Sequence, residues 1–251
     1  MMTPILHRQP VPLDKEKHRQ TSVSFPYDDW SHLSGMNALF LTAAECLNAA
    51  ADYPVFFVKA GEDEQGNVDY APIAVLGLSQ GENLYLEGSR WRGTQFPALM
   101  ATYPFCIART ANEQLAVCMD AAASNVHTDG QGQRLFDDLG NLTEFTTKVQ
   151  GELERLEAQI ATTRQVTRRL VALDLLRERR FDATLPDGRQ ISVDGFFTVD
   201  EERVRALPDA TVLELHRDGV LTMIDAHWVS MAQMRRLLQW RIEREAAKTT
   251  G

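Results

Sequence analysis

Hydrophobic residues in the first half of the chain come in short runs rather than in helical stripes. Val55-Phe56-Phe57-Val58, Ile73-Ala74-Val75-Leu76, Phe105-Cys106-Ile107-Ala108 and Leu115-Ala116-Val117-Cys118-Met119 are bounded by turn-forming residues, and such runs predict buried strands. Two of them follow the same phrase, displaced by 50 residues. Glu45 to Ala51 leads through Asp52-Tyr53-Pro54 into the first run, and Gln95 to Ala101 leads through Thr102-Tyr103-Pro104 into the third. Proline pushes the residue before it out of the α region, so a short helix stops there and an extended segment begins. The turn-rich intervals Gly61 to Asp69 and Ala111-Asn112-Glu113 then lead to the second run of each pair. The pattern predicts a duplicated helix–strand–strand unit forming one mixed sheet.

The second half has a different period. From Leu142 to about Arg180 a helix is predicted, with Leu153, Leu156, Ile160, Leu170 and Leu173 on one stripe. Thr163 and Thr167 fall in the middle of that stripe, which favours a helix packed on its own domain over a coiled coil. Phe181 to Val199 reads as a hairpin about Pro186-Asp187-Gly188-Arg189. Asp200 and Asp209 are placed to cap two helices, Gly219 to end the second of these, and Leu221 to Ala247 to form a last one. Between the halves, Thr128 to Asn141 is rich in Gly, Asp and Gln and reads as a loop or boundary. The fold class is therefore α+β, with an α+β region over 1–140 and a helical region with a hairpin over 141–251; a single integrated domain is the alternative.

Charge narrows the partners. The net charge is -9, from 26 basic and 35 acidic residues, and it opposes attraction to nucleic acid or to anionic lipid. The arginines of the stretch Arg155 to Arg180 are interleaved with glutamates and accompany no aromatic platform, so a solvated face is the reading there. Cys46, Cys106 and Cys118 are odd in number and widely spaced, which fits a reducing compartment. The N-terminal stretch reads as lacking a signal peptide, and no window approaches the roughly 18 apolar residues of a membrane span. A cytoplasmic location without membrane insertion is expected. No spacing typical of a zinc, calcium or phosphate-cradling motif occurs, so neither a metal nor a cofactor is expected.

Several phrases together resemble the SapC family. They are Pro12-Leu13-Asp14-Lys15-Glu16-Lys17-His18-Arg19, Leu41-Thr42-Ala43-Ala44-Glu45 running into Asp52-Tyr53-Pro54, and Leu76-Gly77-Leu78 followed by Gly81-Glu82-Asn83-Leu84. Trp91-Arg92, Tyr103-Pro104-Phe105, Leu185 to Arg189, Gly195 to Glu202, and Ala226-His227 with Arg235-Arg236-Leu237 continue in the same order. The resemblance covers residues 12–238. The family is named from bacterial surface-layer loci and not from a reaction, and its relatives are met beside flavin-dependent halogenase-like and outer-membrane receptor genes, so the resemblance implies an accessory role and brings no catalytic residues with it.

Site candidates accordingly rest on chemistry. His18 and Arg19 stand together in a charged run able to hold an anion. Tyr53 and Tyr103 occupy equivalent places in the two copies, where they either fill the core or face a pseudo-twofold cleft. Trp91, between Arg90 and Arg92, offers an aromatic face beside two cations. His227 lies near Asp225 and Ser230, but their spacing does not make a triad, because residues two apart on a helix face different ways. The leading expectation is a non-catalytic accessory or binding protein for a peptide, carbohydrate, small molecule or partner protein, using a cleft between the halves. An enzyme with His18, Arg92 and His227 in one cleft is the second reading, and a surface-layer structural protein the third.

Overall fold

A computed structural model describes residues 6–62, 65–109 and 115–250, and its elements are those of an α+β protein. The predicted turn Ala111-Asn112-Glu113 lies outside the described residues. The chain divides into two compact units, one of Met1–Leu33, Gly88–Trp91 and Ala98–Ala158, the other of Ser34–Glu87, Arg92–Pro97 and Gln159–Gly251. Residues on both sides of position 140 contribute to the first. The two Tyr-Pro segments do each fold as a short helix followed by a hairpin: Cys46–Ala49 precedes Val55–Glu62 and Val68–Val75, and Ala98–Ala101 precedes Phe105–Arg109 and Leu115–Asp120. They do not build one mixed sheet. The hairpins belong to separate sheets, both antiparallel, as short connections between successive strands require. Their Tyr-Pro steps also differ, since the cis peptide bonds among the described residues are Phe25–Pro26 and Tyr103–Pro104.

In the first unit, Leu115–Asp120 lies between Phe105–Arg109 and the N-terminal strand Pro10–Pro12. Two prolines are tolerated in that strand because it is at the sheet edge, where missing N–H donors leave no gap in the ladder. A second small sheet joins Ser22–Val23 to Val126–His127 and Gln133–Arg134. Val23, Phe105, Met119, Leu135, Phe136 and Leu153 form the core. The Gly- and Asp-rich stretch before Asn141 is tied into this unit: Asp137 Oδ1 accepts the N–H groups of Leu139 and Asn141, and Leu135 N–H donates to Thr21.

The second unit is built on a five-stranded antiparallel sheet. Its order is Leu176–Thr184, Gln190–Val199, Val55–Glu62, Val68–Val75, Ala38–Phe40. The hairpin turn is the predicted Pro186 to Arg189, with Gly188 in the left-handed region at φ 86°. Its strands are longer than predicted because the preceding helix, Glu144–Ala172, stops before Arg180. Asp174 takes φ 53°, and the Leu175 N–H turns back to Leu170 O, so the helix ends in a left-handed residue that aspartate tolerates better than most. The threonines in the helical stripe are also explained. Thr163 is buried, its hydroxyl accepting the Ala43 N–H at 2.8 Å and donating to Gln159 O at 2.6 Å.

Asp200 caps Glu201–Arg205 by accepting the Arg203 N–H, as its position predicts. Asp209 does not cap; it is the first residue of Asp209–Arg217, behind Pro208. Gly219, at φ 72°, separates that helix from Val220–Ser230. The predicted final helix is interrupted by a 3-10 turn, Met231–Gln233, before Met234–Thr250. Val220–Ser230 packs on Gln190–Val199 and Val55–Glu62, and this arrangement positions the site described next.

Candidate functional site

A polar side chain whose bonding capacity is filled by the protein holds structure, whereas one left unfilled at a concave surface is open to a ligand. The second unit contains such a surface, a groove of about 460 Å³. Buried Phe56, Phe196, Val199 and Met234 form its apolar floor, and Phe181, Trp228 and Met231 are part of its wall. The Phe56 and Phe196 ring centroids lie 4.3 Å apart, and the Trp228 indole is fixed by donating to Val199 O at 2.9 Å.

Arg179, Arg180 and Phe181 line this groove together although they are consecutive in a strand, where side chains ordinarily alternate between faces. A bulge accounts for it. The ladder pairs Arg179 with Phe196 but Phe181 with Val193, leaving Asp194 and Gly195 opposite Arg180, and Gly195 adopts φ 77°.

The charges of the groove are unequally matched. Arg180 pairs with Asp182 at 2.9 Å, Glu201 pairs with Arg205, and the Asp200 carboxylate is used as a helix cap. Arg179 and Arg235, both exposed, have neither an ion pair nor a hydrogen bond among the described residues. A polar depression of about 370 Å³ elsewhere in the same unit is the opposite case: its Arg189 and Arg241 are both neutralised, by Asp187, Glu82 and Glu245. In the first unit a third hollow of about 400 Å³, lined by Leu13, Val117, Phe136 and Leu142, has one ammonium, Lys15.

The residues singled out in the sequence lie elsewhere, and most are engaged. In the first unit, His18 Nδ1 accepts the Asp14 N–H at 3.0 Å, and burial lowers the basicity of its ring while Asp14 works against that. Arg19 reaches the Asp138 carbonyl. Tyr103 is buried and donates to Asp120 at 2.9 Å, and burial and this bond raise its pKa. Asp120 also accepts the N–H groups of Arg8, Gln9 and Ala122, so it fastens the N-terminal segment to the sheet. Around Tyr103 stand His7, Tyr27, Trp30 and His32 at ring separations of 4.7 to 5.6 Å, a packed aromatic cluster. Trp91 is buried.

In the second unit, Tyr53 is fully buried and donates to Gln95 O. Arg92 stacks on an aromatic ring, but the ring is that of Trp240, at 4.1 Å, and Glu87 pairs with the guanidinium at 3.3 Å. His227 is at the core. Its Nδ1–H donates to Val55 O at 2.7 Å and its Nε2 accepts the Val199 N–H at 3.1 Å, so both ring nitrogens are occupied and the neutral tautomer is fixed. Burial pushes its pKa down to about 4. Ser230, on the same helix face, accepts the Val55 N–H and donates to His227 O, while Asp225 is exposed. Having no free nitrogen and no solvent access, this imidazole is a structural clasp and is not placed for acid–base work.

The groove residues Arg179, Phe181, Trp228 and Arg235 escaped the sequence reading. A signal was present: Arg177-Glu178-Arg179-Arg180-Phe181 puts an aromatic residue beside a basic run, and Met231, Met234 and Arg235 recur at helical spacing after Trp228. Among the described residues no group of three His, Cys, Asp or Glu side chains is placed to hold a metal, and no helix is long and apolar enough to cross a membrane.

The molecule is thus an α+β protein of antiparallel sheets with a preformed amphipathic groove on its larger sheet. The family model SapC matches residues 13–237, and the chain belongs to the SapC family. Comparison with curated proteins and with solved structures yields no match.

Proposed function

We propose that this member of the SapC family is a non-catalytic accessory protein that binds a ligand, a peptide or small molecule, in the groove lined by Phe181, Trp228 and Met231. One observation carries the reading: this concavity combines an apolar floor with two guanidiniums that the described residues leave unmatched. The groove has the size and composition of small-ligand sites, mostly apolar with a few placed polar groups. His227, Tyr103 and Tyr53 are instead buried and committed to hydrogen bonds within the fold.

A ligand that binds only the folded state raises the melting temperature by mass action. Thermal-shift screening of the purified protein against metabolites, sugars and short peptides is expected to give hits that disappear in Phe181→Ala and in Met231→Ala. Hits that persist in both variants would move the site away from the groove.

A further inference from the structure

We infer that the ligand of this groove is an amphipathic carboxylate, an apolar body ending in one COO⁻ group, supplied either as a free organic acid or as the C-terminus of a peptide. The inference rests on the groove being a binding site and adds the chemistry of what fills it.

Four observations support it. The floor is hydrocarbon and aromatic, Phe56, Phe196, Val199 and Met234, and is complementary to an apolar body. Arg179 and Arg235 line the same groove without acidic partners among the described residues, while the groove's own acids, Asp200 and Glu201, are held by a helix cap and by Arg205. This leaves a local positive excess on a protein of net charge -9, where unmatched cations stand out against their surroundings. A guanidinium presents a planar fork that matches the two oxygens of a carboxylate. Finally, the site is built in advance: Trp228 is hydrogen-bonded in place, and Arg179 and Phe181, two apart in one strand, share a face. A polar sugar would leave the floor without a partner, and a cation would meet two guanidiniums.

The test is calorimetric titration of the whole protein with four probes: nonanoate, 1-nonanol, and an N-acetylated apolar tripeptide with either a free or an amidated C-terminus. Nonanoate is expected to bind at least roughly tenfold more tightly than nonanol, the scale of a charge-assisted fork over a neutral contact, and to weaken as salt is raised. In Arg179→Gln/Arg235→Gln the advantage of the acid is expected to vanish while nonanol binding is kept. If the free-acid tripeptide outperforms both its amide and nonanoate, the source is a peptide terminus; if nonanoate outperforms the tripeptide, it is a free acid. Equal binding of acid and alcohol to the native protein, sensitive to Phe181→Ala, would overturn the carboxylate and leave the groove standing as a site. Binding of none of the four probes would overturn the carboxylate inference, and screening hits indifferent to Phe181→Ala and Met231→Ala would separately remove the groove.

Discussion

The His227 clasp and the arginine groove lie on the same sheet and share Phe56 and Val199, yet they treat polar groups in opposite ways. At the clasp both nitrogens of the imidazole and the hydroxyl of Ser230 are bonded to backbone, deep in the core. In the groove two guanidiniums stand at an apolar surface without partners among the described residues. The difference separates stability from recognition: a buried polar group is tolerable only when bonded, so removing one partner costs the full penalty of the orphan left behind, whereas an exposed, unmatched cation contributes little to folding. A histidine beside a serine and an acid looks like chemistry in one dimension, and its surroundings make it architecture.

The sharpest way to break this contrast is His227→Ala. It orphans the Val199 N–H and the Val55 carbonyl and opens a cavity, with an expected loss of about 4 kcal/mol in urea unfolding. A loss below about 1 kcal/mol would mean that the clasp is not structural.

Acid provides the second test. His227 titrates near 4 in the folded chain against 6.5 ordinarily, so between these values the unfolded state binds the extra proton. Its contribution is therefore fully present above pH 6.5 and is lost as pH falls toward 4, by about 3 kcal/mol in all. The part of the pH dependence that disappears on replacing His227 by Gln measures this directly, and a variant with an unchanged profile would refute it.

Thr163→Val sharpens the point with a smaller effect. It keeps the shape of the side chain but strands the Ala43 N–H, for an expected loss of about 1 to 2 kcal/mol, measured as a shift in the unfolding midpoint at constant slope. The smallest effect belongs to the groove. Arg179→Gln/Arg235→Gln is expected to change stability by less than about 0.5 kcal/mol, and a larger change would show that these arginines support the fold.

Much of the fold was legible because its signals are local. The Tyr-Pro phrases end helices and open strands, the Pro-Asp-Gly-Arg turn closes the long hairpin, and Asp200 caps where a cap was predicted. What was not legible depends on distant partners. The helix read through to Arg180 because Leu173 extends its stripe, and only the left-handed turn at Asp174 frees the following residues for the sheet. The two hairpins look alike in sequence and yet join different sheets, since strand partners are chosen by the rest of the chain. The site was missed for the same reason. Arg179 and Arg235 are ordinary surface arginines in the sequence, and only the packing of helices on the sheet brings them to one groove.

The bulge faces Arg180 of Leu176–Thr184, a strand with a neighbour on one side only among the described residues. Such an edge invites pairing with another copy of the same chain. Here the strand carries Arg177, Arg179 and Arg180 within four positions, and the ladder is kinked where they stand. Two such edges approaching each other would have to strip water from these guanidiniums along a bent front. Charged side chains and kinks are means by which an unpaired strand is kept from adding to another sheet, so the arginines at the rim of the groove stand where such a guard is needed.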